Sequence, residues 1–200
     1  MNSFVAKDYD NAERFDVYKT QAKLIEELEP ISSILEIGIG SGFMKRYLRS
    51  KGKIVFSLDI NEELLPDVVC DVSKGFELNE SFDLVTCFQV LEYVSVFDLK
   101  GTLQSIRRHG DKFVFSVPIN SWFFILKFKF PFMSKEWAKV LWLPKNRVEP
   151  RNNRVWEVGE KSCSLGCFKR ILEDNQFRVI KFGVFASDPL HAYFVCEASK

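Results

Sequence analysis

Leu35-Glu36-Ile37-Gly38-Ile39-Gly40-Ser41-Gly42 is the stretch on which the fold turns. An apolar run over residues 34–37 enters three glycines spaced two apart, and a helix-patterned stretch through Phe43, Met44, Tyr47 and Leu48 leaves them. A strand that passes into a helix through glycines predicts backbone at positive φ and a surface that a ligand can approach without a Cβ in the way. The helix behind such a turn points N–H groups and a partial positive charge above the strand ends. In an open parallel sheet, the crevice at that end is the default ligand site.

Outward from this turn the chain alternates. Upstream, Phe15, Tyr18, Ala22, Ile25 and Leu28 recur at three- and four-residue spacing, which predicts a helix over residues 12–28, stopped by Pro30. Downstream, a second apolar run over 54–58 ends at Asp59. Asn61 is placed to cap a short helix reaching Leu65, and a brief third strand over 68–70 ends at Asp71. A fourth strand is expected over 82–88, a helix over 96–109 and a fifth strand over 112–117. Near-continuous apolar strands alternating with helices imply a parallel sheet covered on both faces. Leu165, Phe168, Ile171 and Leu172 mark one more helix. The runs 177–185 and 191–196, separated by Ala186-Ser187-Asp188-Pro189, then predict a terminal antiparallel hairpin. The expected fold is α/β: a Rossmann-like, doubly wound, seven-stranded sheet, mostly parallel with an antiparallel C-terminal hairpin, in a single domain over residues 1–200.

Composition narrows the function classes. Of 200 residues, 28 are Lys or Arg and 27 Asp or Glu, a net charge of +1 that gives no global attraction to nucleic acid. The five cysteines (Cys70, Cys87, Cys163, Cys167, Cys196) are scattered, and His109 and His191 lie far from the Cys163/Cys167 pair, so no zinc tetrahedron is suggested and no metal is expected. The first fifteen residues lack the apolar core of a signal peptide, and no window approaches the roughly 18 consecutive apolar residues of a membrane-spanning helix. A cytoplasmic protein with reduced thiols is expected.

Two ligand classes compete for the glycine turn. The dinucleotide fingerprint G-x-G-x-x-G would need glycine at position 43, where Phe43 stands. A pyrophosphate would also be repelled by Glu36, whereas a ligand carrying an ammonium and a sulfonium would be attracted. The run from Leu35 to Gly42 resembles motif I of the class I S-adenosylmethionine-dependent methyltransferases, and the chain most resembles their compact type 11 small-molecule enzymes. The resemblance extends from about Tyr9 to the C-terminus, apart from one insertion. It implies S-adenosylmethionine as donor and S-adenosylhomocysteine as product. Glu36, Gly38, Ile39, Gly40 and Gly42 would then hold the donor, with Asp59 accepting both ribose hydroxyls and Ile60 beside it. Cys70-Asp71-Val72 resembles the loop whose acid receives the adenine amino group, although Asp67 stands close by. Phe88 ends the fourth-strand motif that lines the donor pocket, and residues 113–120 resemble the fifth-strand motif. Tyr9 and Phe15 resemble the aromatics of the N-terminal helix that folds over the donor. Glu92 and Tyr93 also read as helix-start residues packed on the sheet. Tyr93 and Arg154 stand where the family often has histidine, so chemistry tied to those histidines does not carry over. The one candidate catalytic base is His191, for which an exposed loop position is the other reading.

Residues 121–154 fit neither the alternation nor the resemblance. Trp122, Phe124, Leu126, Phe128, Phe130 and Phe132 occupy every even position, with Lys127 and Lys129 between them, as in an extended segment with one apolar face. A short helix is expected next, with Ser134 as cap and Trp137, Ala138, Leu141 and Trp142 on one side. The segment holds eight Lys and Arg against two Glu, a net of +6, so the remainder of the chain is net acidic. A lid over the acceptor, a membrane-resting surface, a nucleic-acid face, a homodimer contact and simple packing on the sheet all remain open. Nucleic acid is the least favoured of these partners. The expected function is in-line methyl transfer to a small-molecule or lipid-like acceptor. The alternatives are a non-catalytic module of the same fold that docks to a membrane or partner, and an RNA methyltransferase. Against the last, no Asn-Pro-Pro-Tyr or Asp-Pro-Pro-Tyr run is present.

Overall fold

The computed structural model describes residues 10–128, 137–144, 154–159 and 163–199. Helix α1 spans Ala12–Glu26, with Asn11 accepting the Arg14 N–H as its N-cap. Strand β1, Ser33–Ile37, then feeds α2, Phe43–Ser50. Next come β2, Ile54–Asp59; a two-residue β3, Val68–Val69; and β4, Phe82–Phe88. Helix α3, Val96–Arg107, leads to β5, Gly110–Pro118. After β6, Ser121–Phe128, and β7, Trp137–Pro144, helix α4, Leu165–Asp174, precedes β8, Phe177–Phe185, and β9, Asp188–Ala198.

The main sheet has the order β3-β2-β1-β4-β5-β9-β8. The pairs among β1 to β5 are parallel, and β9 runs antiparallel to both β5 and β8. The expected sheet class is therefore the observed one. Strand alternation sends side chains to two cores. Ile34, Leu84 and Val114 pack with Tyr18, Ile25, Met44 and Leu48 beneath α1 and α2. Leu35, Val85, Phe113 and Phe115 pack with Leu103, Ile106, Phe168 and Leu172 beneath α3 and α4. Several phenylalanines close this second core edge to face: the Phe177 ring meets Phe113 at 4.7 Å and Phe115 at 5.2 Å.

One expectation is overturned. Residues 137–144 form a strand, not a helix: β7 pairs antiparallel with β6 over its whole length, from Ser121 opposite Pro144 to Phe128 opposite Trp137. The spacing 137, 138, 141, 142 suits a helix face, but this aromatic-rich segment also suits a strand, and the edge offered by β6 decides between them. Ser134, the expected cap, and Phe130 and Phe132 lie outside the described residues. Among the described residues no helix is long and apolar enough to cross a membrane.

Candidate active site

The glycine turn is built as its sequence requires. Gly38, Gly40 and Gly42 have φ of +82°, +53° and +73°. A Cβ on Gly38 would lie 2.2 Å from Val90 Cγ2, so the turn and the loop after β4 interlock through a missing side chain. The Gly38 N–H donates to the Leu58 carbonyl at 2.8 Å. Asp59, at the carboxyl end of β2, accepts the Ile39 N–H on Oδ2 and the Asn61 N–H on Oδ1, each at 2.9 Å. Its carboxylate thus clamps the turn to β2 and keeps acceptor capacity for further donors, since two oxygens carry about four lone-pair sites. Ile60, next to it, is exposed.

Beneath the turn lies a buried polar layer. Glu36 shares the sheet face of Ser57 and Thr86, its in-register neighbours. Lys45, from α2, donates to Ser57 Oγ at 2.9 Å and pairs with Asp67 at 2.8 Å. Asp67 also accepts the backbone and hydroxyl hydrogens of Ser57. That settles the role of Asp67: it ties α2 to β2. Glu36 is only 4% exposed, its Oε2 has no hydrogen-bond partner, and burial pushes its carboxyl up to about 8.

Asp71 caps the turn that follows β3, accepting from the Ser73 amide at 3.1 Å and the Ser73 hydroxyl at 2.6 Å. Those hydrogen bonds hold its carboxyl below the usual range. Val72, beside it, is buried, and its carbonyl accepts from Thr102. Phe88, at the end of β4, meets Tyr193 of β9 edge-on at 6.3 Å. Helix α1 reaches across this end of the sheet. Arg14 donates to Gln89 Oε1 at 2.6 Å, and Tyr18 donates to Asp10 at 2.7 Å while lying 3.1 Å from Ser41 Oγ. Phe15 meets Phe43 edge-on at 5.3 Å, beside the glycine turn. Tyr9 lies outside the described residues.

At the carboxyl end of β5, His191 faces Pro118 in register. It is buried within β9, not exposed on a loop as its other reading had it. Its Nδ1 lies 2.7 Å from Asp188 Oδ1, and Tyr193 donates its hydroxyl to the other carboxylate oxygen. Burial, reinforced by Asp188, pushes the Tyr193 phenol well above its ordinary value. A second buried cluster adjoins β4. Glu92 is fully buried and burial pushes it up to about 7; Arg154 lies 3.8 Å from it and bonds Glu157 at 2.7 Å. Val155 N–H to Glu92 O and Trp156 Nε1 to Val94 O fasten residues 154–158 onto the loop after β4. A shallow recess of about 450 Å³ beside Asp83, Arg107 and Lys112 opens at the amino ends of β4 and β5 and shares none of these groups.

A family model described as a methyltransferase domain matches residues 11–182. The chain belongs to this methyltransferase family. It is a methyltransferase, and its seven-stranded mixed sheet is the fold of the solved methyltransferases it resembles. No curated protein matches its sequence. Among solved structures, this methyltransferase is similar to an S-adenosylmethionine-dependent methyltransferase from Clostridium acetobutylicum ATCC 824, with a TM-score of 0.62, 13% identity, and 97% of this chain and 94% of the other covered. The N-methyltransferase NodS from Bradyrhizobium japonicum WM9, in complex with S-adenosyl-L-homocysteine, gives 0.63 at 12% identity, covering 100% and 94%. The glycopeptide N-methyltransferase MtfA, complexed with S-adenosyl-L-homocysteine, gives 0.64 at 18% identity, covering 95% and 91%.

The residues of this methyltransferase fit a cationic nucleoside donor on two observations. Asp59 keeps acceptor capacity at the strand end beside the turn, which suits a sugar hydroxyl, and the orphaned Glu36 oxygen beneath the turn suits a positive charge. Reasoning from the sequence named the strand-end residues but not Arg14, Tyr18, Gln89 and Asp188, whose side chains the fold brings to the same end of the sheet. Arg14 and Tyr18 are four apart on α1, a spacing that marks one face, but nothing in that spacing says the face overlooks the glycine turn. Asp188 sits before Pro189 and reads as a turn former. The turn instead falls at Ala186-Ser187.

Proposed function

We propose that this protein is a class I S-adenosylmethionine-dependent methyltransferase, with S-adenosylmethionine as donor and S-adenosylhomocysteine as product. It transfers the methyl group to a small-molecule or lipid-like acceptor whose reacting atom must shed a proton, with His191 as the base. The reading covers residues 1–200 as one domain working in the cytoplasm. The single observation that carries it is the Asp188–His191 pair at the carboxyl end of β5, the same end of the sheet as the glycine turn. When bound, the donor supplies an electrophilic methyl group on a sulfonium, so the protein needs no nucleophile of its own. The work left to this chain is orientation and proton removal.

In this reading Glu36, Gly38, Ile39, Gly40, Gly42, Asp59, Ile60, Asp71, Val72, Phe88 and Tyr9 hold the donor. Holding two reactants on one axis can lower a barrier by roughly 7–11 kcal/mol. A carboxylate that accepts the Nδ1 hydrogen of His191 leaves Nε2 as the basic nitrogen and stabilises the imidazolium formed when it takes a proton. Tyr193, which donates to the other Asp188 oxygen, holds that carboxylate in place. A neutral amine, whose nitrogen attacks before any proton is lost, would not need this pair; a hydroxyl, a poor nucleophile until its proton is removed, would. Neighbours of the same fold include enzymes named for a glycopeptide, for magnesium protoporphyrin IX and for 1,6-didemethyltoxoflavin, which supports a small acceptor. The five cysteines are free thiols, which suits a reducing compartment.

The test has two arms. Calorimetry with S-adenosylhomocysteine should show saturable binding, and radiolabelled donor should label a lipid or metabolite extract in a reaction that His191→Asn abolishes. Binding without labelling of any extract would favour the non-catalytic module instead. Absence of binding would end the reading.

A further inference from the structure

We propose that the outward face of the β6–β7 hairpin docks this protein onto an anionic lipid bilayer. The antiparallel register puts Trp122 opposite Leu143, Phe124 opposite Leu141 and Leu126 opposite Lys139, so these side chains share one face. All the large apolar residues among them are exposed; Trp122, Phe124 and Leu143 are about 60% accessible. On the other face, Ile125, Val140 and Trp142 are half-buried and Phe123 is 37% exposed, less than Trp122 and Phe124 on the outward face. A hairpin that merely packed on a domain would turn its polar residues outward and its apolar residues inward. Here six apolar residues, Trp122, Phe124, Leu126, Phe128, Leu141 and Leu143, face out together. A contiguous patch of that kind marks a surface that meets something.

Charge identifies the partner. The segment 121–154 has a net charge of +6 in sequence, against +1 for the whole chain. The hairpin strands themselves carry Lys127 and Lys139 with no acid, Lys139 standing on the apolar face opposite Leu126. A second copy seated on the same face would bring two such segments together, because a two-fold contact is made of the same patch twice. Nucleic acid would satisfy the charge but not the aliphatic members: Leu126, Leu141 and Leu143 offer no ring on which a base can stack. A bilayer with anionic headgroups satisfies both. Aromatic and aliphatic side chains enter the headgroup–acyl boundary, and a lysine such as Lys139 lays its stem along them while its ammonium meets phosphate. The docking surface shares no residue with the glycine turn, so flotation and donor binding are read independently.

Vesicle flotation of the full chain tests this. Vesicles of phosphatidylcholine containing phosphatidylglycerol should carry the protein upward, whereas pure phosphatidylcholine should carry it at least about ten-fold less. Phe124→Ser combined with Leu141→Ser should abolish flotation while binding of S-adenosylhomocysteine, measured on the same preparation, is unchanged. Lys139→Gln, which leaves the apolar face intact and guards against a folding defect in the double variant, should weaken flotation by about five-fold. The proposal is overturned if the wild-type chain ignores both vesicle types, or if both variants float like the wild type. It is also overturned if sedimentation shows a dimer that Phe124→Ser with Leu141→Ser dissociates, or if RNA binds and displaces the vesicles. Loss of donor binding by the wild-type chain, with flotation intact, would defeat the enzymatic reading alone.

Discussion

In the crevice above β1 and β2, Glu36 is 4% exposed, while on the β6–β7 hairpin Trp122 and Phe124 are each about 60% exposed. One region turns charge inward and the other turns apolar surface outward, each against the ordinary preference of its residue type. Such reversals cost stability and persist where a ligand or partner compensates. In the crevice the compensation would be a cation of molecular size; on the hairpin, a sheet of headgroups. The two sites differ in construction as well. Backbone and side-chain hydrogen bonds lock Asp59 and Asp188 in place, whereas the hairpin is a two-stranded ribbon whose register sets which residues face outward.

That contrast can be broken or sharpened by experiment. The largest effect is expected from His191→Asn, which should lower turnover by about 10²–10⁴-fold with donor affinity and vesicle flotation unchanged; equal losses in all three would make His191 a folding residue. Gly38→Ala comes next. Its new methyl meets Val90 and its φ of +82° disfavours any side chain, so denaturant melts should show a loss of about 2–4 kcal/mol, with donor binding gone. Asp59→Ala should weaken donor binding by roughly 10–100-fold in calorimetry, the range for hydrogen bonds to a charged group, again without touching flotation.

The smallest effect is a pH dependence. Glu36 is raised from 4.5 to about 8, so between those values the folded state holds a proton that the unfolded state has released, and stability falls as pH rises. Glu92, raised to about 7, acts in the same direction over a narrower window. Denaturation at pH 7 and pH 8 should therefore show the wild type losing on the order of 1 kcal/mol across that step, and Glu36→Gln losing only the smaller part that Glu92 contributes. A wild type whose stability is flat from pH 5 to pH 8 would mean that Glu36 is ionised when folded.

Much of this was legible in the sequence because it rests on local rules. Apolar runs and their glycine or acidic ends fix the parallel strands, and the Gly38–Gly42 spacing with Phe43 argues against a dinucleotide. What the sequence hides is register and reach. The segment 137–144 satisfies a helical and a strand pattern at once, and only the partner strand β6 chooses. Asp188 carries the local signature of a turn, yet it is buried because β9 starts earlier than its apolar run suggests. Arg14 meets Gln89 across 75 positions of chain, a contact that follows from where α1 crosses the sheet.

The place of β9 in the sheet has a consequence for synthesis. Of the described strands, β9 is the furthest along the chain yet not the outermost: it slots between β5 and β8, both of which leave the ribosome before it. Until residues 188–198 emerge, β5 must wait with one edge bare, a template for pairing with a foreign strand. The same late arrival delivers His191 and Asp188, so a nascent chain stopped short of them lacks both its seal against aggregation and its proposed base.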